Sequence, residues 1–145
     1  MSDTPSLYLK ELNYGDVDKI YFHSNMKENV DDIISLSKKI CDKVGLAIFY
    51  DTEIQDSKNI LKKFNEFLIL CIKEPGTSGS IFQNKSFKKI KELQNLFKDS
   101  KICVDGGINK NIADQLECEY IVSSSFVIKS TDPKESIYKL RHELY

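Results

Sequence analysis

The feature that most constrains the fold of this chain is an alternation. Five apolar runs of strand length, residues 19–22, 45–50, 67–72, 101–104 and 120–122, are separated by stretches with helical periodicity. That order is the signature of βα units around a parallel sheet. The helical stretches number six. One opens after Pro5 with Leu7, Leu9 and Leu12 and ends near Gly15. A second carries Val30, Ile33, Ile34, Leu36 and Ile40, with Asn29 or Asp31 as its cap. The others cover residues 57–64, 85–97, a short turn from Asn109 to about Leu116, and 133–144, which starts at Asp132-Pro133. Five parallel strands and six helices make an α/β protein, either part of a (β/α)8 TIM barrel or a rearranged, flavodoxin-like open sheet. Both place their ligand at the C-terminal ends of the strands.

Bulk properties narrow the function. The 145 residues form a single domain, 1–145, of which 41% are hydrophobic and 30% charged. No apolar run approaches the roughly 20 residues that cross a bilayer, so no membrane partner is expected. The start, Met1-Ser2-Asp3-Thr4-Pro5, lacks the basic and apolar regions of a secretory leader, and the expected compartment is the cytoplasm. Cys41, Cys71, Cys103 and Cys118 are scattered without a C-x-x-C and are expected to be reduced thiols. A net charge of −1 removes the electrostatic argument for nucleic acid. The lysine run at Lys85, Lys88, Lys89 and Lys91 is read as the solvated face of an amphipathic helix whose apolar side is Phe87, Ile90, Leu93 and Phe97.

Three strand ends carry the chemistry. Cys103-Val104-Asp105-Gly106-Gly107-Ile108-Asn109 puts a carboxylate and a glycine pair directly after an apolar strand. Glu74-Pro75-Gly76-Thr77-Ser78-Gly79-Ser80 and Ile121-Val122-Ser123-Ser124-Ser125 supply small residues after two others. Together they suggest a rim that grips phosphate. Asp105 either works as an acid/base there or caps a turn or the next helix. Gly79, Gly106 and Gly107 either supply positive φ alone or offer backbone amides to an anion. The serines fit a phosphate rim better than a nucleophile, since no base motif accompanies them. His23 at a strand end is read as a rim histidine and His142 as a surface residue.

These motifs, in this order, resemble the ribulose-phosphate 3-epimerase family, whose members are (β/α)8 barrels. Met1 to Leu9 is similar to the end of the family's H-L-M-V-x-x-P segment, and Asp18 to His23 to its next strand. Glu74 to Phe82 resembles its E/N-P-G-F-G-G-Q-x-F loop, Val104 to Ile108 its V-D-G-G-I/V, and Val122 to Ser125 its V-A-G-S strand end, with Asp132-Pro133 and Leu140-Arg141 beyond. The resemblance implies metal-assisted proton transfer at C3 of ribulose 5-phosphate through an enediolate, in pentose phosphate carbohydrate metabolism. It implies Asp105 as acid/base and metal ligand, a phosphate site at Gly79, Gly106, Gly107, Ser124 and Ser125, and zinc, iron or manganese as cofactor. The departures are Ser78 for Gly, Ser80 for Gln, Ser124 for Gly and Asn25 for Glu. Against the family the chain begins at the third strand, so only Asp105 of a four-ligand set is expected, with one acid/base and the metal lost. Such groups act as a unit, and the chain alone is expected not to turn over. The alternative is a non-catalytic sugar-phosphate-binding or partner subunit. The first and last strands would leave open edges, which predicts a homo-oligomer or a complementary chain.

Overall fold

The computed structural model describes residues 2–141 except Ser78, and of Asp56 only the backbone. Ser78 and His142, and the expected end of the last helix, therefore lie outside the described residues. The elements run α1 (Ser6–Leu9), β1 (Lys19–His23), α2 (Val30–Ser37), β2 (Lys43–Phe49), α3 (Ile54–Leu61), β3 (Glu66–Leu70), α4 (Lys85–Leu96), β4 (Lys101–Asp105), α5 (Lys110–Ala113), β5 (Tyr120–Val122), α6 (Ser125–Ile128) and α7 (Pro133–Leu140). The sheet order is β1-β2-β3-β4-β5. A flavodoxin-like sheet has the order 2-1-3-4-5, so that rearrangement is not adopted. Strands added in chain order are what successive βα units of a barrel produce.

The chain falls into two compact units, one running to Ile48 together with Thr52–Leu68, the other Phe49–Asp51 with the residues from Ile69 onward. In the first, β1 and β2 pair in parallel, Lys19 opposite Lys43 and His23 opposite Ala47. Its core is Leu9, Phe22, Ile33 and Ile40, bordered by Leu12, Ile20, Leu36 and Val44. Asn29, not Asp31, caps α2: its side-chain oxygen accepts from the N–H groups of Asp31 at 2.9 Å and Asp32 at 3.3 Å. Gly45 has a steric reason, because a Cβ there would stand 2.5 Å from the Tyr21 ring. The Glu66 carboxylate pairs with Lys19 at the same end of the strands. His23 closes β1 half-buried, and burial lowers its pKa below the usual imidazole value.

In the second unit, β4 buries Ile102, Cys103 and Val104 in succession, as a parallel strand covered on both faces does. It pairs in parallel with β5, Cys103 opposite Tyr120 and Asp105 opposite Val122. The lysine face of α4 differs from expectation at Lys89, which is buried and reaches Glu92 at 3.1 Å. Its long aliphatic stem covers apolar surface while the ammonium finds a partner one turn on. Among the described residues the structure adds a seventh helix, α6, a single turn too short to carry a readable period. Cys71 and Ile72, read as strand, are buried just beyond the end of β3. All four cysteines are free thiols, with Cys41, Cys71 and Cys103 buried. Burial pushes the Cys71 thiol up to about 12. Among the described residues, no helix is long and apolar enough to cross a membrane.

Candidate functional site

The second unit folds its small-residue segments onto one cleft of about 240 Å³. Cys71 organises the approach. Its N–H donates to the Asp105 carbonyl at 2.8 Å, and its own carbonyl accepts from the Gln83 N–H at 2.7 Å. The loop between Ile72 and Gln83 is thereby pinned beside the end of β4. Within that loop the Thr77 hydroxyl donates to the Glu74 carbonyl at 2.6 Å and lies 2.6 Å from the Ser80 hydroxyl, so two short side chains hold the turn.

Gly107 is where this loop comes closest. At φ +69°, a Cβ on Gly107 would stand 2.4 Å from the Phe82 nitrogen and 2.9 Å from the Ser80 carbonyl oxygen. Gly106, at φ +108°, would drive a Cβ to 2.7 Å from the Ile72 side chain. Both conditions exclude any other residue: the backbone is left-handed and there is no room. On the far side, the Ser123 hydroxyl donates to the Ile108 carbonyl at 2.9 Å, tying the end of β5 to the turn after β4.

Asp105, Gly79, Gly106, Gly107, Ser124 and Ser125 all line this cleft. The Asp105 side chain is half-buried; burial raises its pKa above the ordinary carboxylate value, opposed by the Gly106 N–H donating to it. Asp105 does not cap the next helix. That task falls to Asn109, whose side chain accepts from the Ile112 N–H at 3.1 Å. Ser124 and Ser125 open α6, and the first N–H groups of a helix have no intrahelical acceptor. Ser123 is spent on its structural bond. The sequence reading missed Lys129, which lines an adjoining cleft with Gly79, Gly107 and Ser125. Its only signal was a spacing of four from Ser125, on a helical turn too short to recognise.

The residues present do not fit a metal centre by themselves. Among the described residues no group of three or more His, Cys, Asp or Glu side chains could hold an ion. Asp105 alone could donate from within the cleft.

Parallel strands with intervening helices, and a cleft of small residues and one carboxylate at the strand ends, define part of a (β/α)8 barrel. The solved structure of 3-hexulose-6-phosphate synthase from Salmonella typhimurium has this fold, with a TM-score of 0.62 at 14% identity over 86% of this chain and 60% of that one. The profile of the Ribulose-phosphate 3 epimerase family matches residues 1–128, and the chain belongs to that family. It is 26% identical to the ribulose-phosphate 3-epimerase of Bacillus subtilis (strain 168), covering 97% of this chain and 68% of that protein. With the enzyme of the same name from Candida glabrata it shares 24% identity, covering 99% of this chain and 59% of that one. The chain thus spans about three fifths to two thirds of the length of these relatives.

Proposed function

We propose that the cleft of the second unit binds a sugar phosphate of the ribulose 5-phosphate type and that Asp105 is its acid/base. The observation that carries this reading is convergence: one carboxylate, four positive-φ glycines and the Ser124–Ser125 pair, from three separate segments, line a single cleft. The Gly107 amide and the amides and hydroxyls of Ser124 and Ser125 suit phosphate oxygens, whereas the Gly106 N–H is held by the Asp105 carboxylate. Asp105 suits proton transfer. A carboxylate lifted by burial moves toward the range in which it can both take and return a proton near neutral pH. Taking the proton from the carbon beside a carbonyl leaves an enediolate, and return of a proton to the opposite face inverts that carbon. Asp105 can serve one face.

In the family reaction a divalent metal, zinc, iron or manganese, assists this transfer. The described residues do not compose its site. A second reading, binding without turnover, is favoured by the same cleft, because Asp105 is the only ionisable side chain among its described lining residues. We infer that this chain alone binds but does not epimerise, in the cytoplasm and in carbohydrate metabolism.

The test is an assay of ribulose 5-phosphate epimerisation with zinc, iron or manganese added, beside Asp105→Asn. Binding without turnover is the expected result. Turnover in the parent that disappears in Asp105→Asn would establish Asp105 as acid/base and overturn the inference of inactivity. Absence of sugar-phosphate binding would overturn the reading altogether.

A further inference from the structure

Gly79, Ser80, Gly107, Ile108 and Ser125 line two clefts at once, the one holding Asp105 and a neighbour of about 540 Å³. Among the described lining residues each cleft has one charged side chain: Asp105 in the first, Lys129 in the second. Lys129 follows α6 directly, its N–H held by the Ser125 carbonyl at 3.1 Å. A Cβ on Gly79 would stand 3.6 Å from the Lys129 ammonium, so that charge hangs over the glycine backbone. Lysines elsewhere, among them Lys19, Lys27, Lys43, Lys63, Lys89, Lys110 and Lys139, pair with carboxylates. Lys129 makes no ion pair among the described residues.

Resting on the sugar-phosphate reading above, we propose that Lys129 is the cation that selects and orients the phosphate. The dianionic phosphate monoester sits over Gly79, Gly107 and Ser125 with the Lys129 ammonium against it, and the sugar carbons run inward to Asp105. The reverse orientation would set the phosphate against the Asp105 carboxylate, and like charges at contact distance repel strongly in a half-buried site. The pair of opposite charges therefore fixes the direction in which the ligand lies. Phosphate monoesters are selected over the neutral sugar.

The experiment is calorimetric titration of the parent chain, Lys129→Gln and Lys129→Arg with ribulose 5-phosphate and with inorganic phosphate, each at low and high salt, alongside thermal unfolding. Lys129→Gln should weaken both ligands about five- to tenfold at low salt, with a smaller loss at high salt, since an exposed charge is screened. Lys129→Arg should stay within about twofold of the parent, and all three should unfold at the same temperature. Unchanged affinity in Lys129→Gln, with the parent binding, would overturn the role of Lys129 and leave the sugar-phosphate reading standing. Equal weakening in both variants would overturn it as well, since the retained charge should rescue. A parent that binds neither ligand would overturn both readings.

Discussion

At Gly107 two separate physical demands fall on one atom that is not there. The positive φ alone costs a Cβ-bearing residue about 1–3 kcal/mol, and the 2.4 Å approach of the Phe82 nitrogen adds overpacking against backbone that cannot rotate away. Gly107→Ala should therefore lose about 2–4 kcal/mol in denaturant unfolding. Gly76→Ala, where φ is +94° but nothing lies within 4 Å, should lose only about 1 kcal/mol. Equal losses would mean the loop does not press on Gly107. Asp105 makes the opposite kind of prediction. Its folded pKa is raised, so the fold favours the neutral acid; its contribution is fully present below the unfolded value and is lost as pH rises through the folded one. Asp105→Asn keeps an acceptor for the Gly106 N–H without the charge. It should melt no lower than the parent at pH about 7, and that advantage should shrink toward pH about 4. A variant that melts lower at neutral pH would show that ionised Asp105 stabilises the fold.

Among the elements, the helices nearest the site depend on their caps because they are too short to hold themselves. The α5 helix has four residues, and Asn109 satisfies one of its orphan amides. Asn109→Ala should cost about 1 kcal/mol in chemical unfolding and loosen the Gly107 turn beside it; a loss near zero would mean that packing against α7 alone holds α5. Caps were legible in the sequence because Asn and Asp are short side chains that reach back to backbone amides, which is why Asn109 and Asp132 stood out. The α6 turn was not legible, since four residues give no period. The start of α3 at Ile54 rather than residue 57 was likewise hidden: Ile54 is buried, and tertiary burial extends a helix past its local signals.

For the whole molecule, β1 and β5 are the terminal strands of the sheet order. Tyr120 and Val122, on one face of β5, are each more than two fifths exposed. Strands at the end of a sheet that carry exposed apolar residues recruit further strands, so we expect self-association, measured by sedimentation. A monomer across micromolar concentrations would contradict this. The pattern of apolar runs determined by itself that the chain is built of βα units, because strand and helix periods are local consequences of backbone geometry. The small-residue strand ends determined which segments could approach a ligand, because glycine's backbone freedom is a property of the residue alone. Convergence was decided only in three dimensions. Nothing in the linear order says that Gly79 and Lys129, or Gly107 and the backbone of Phe82, face each other across a few ångströms. Those distances follow from the Cys71 backbone bonds and from the pairing of β4 with β5, contacts between residues far apart in the chain.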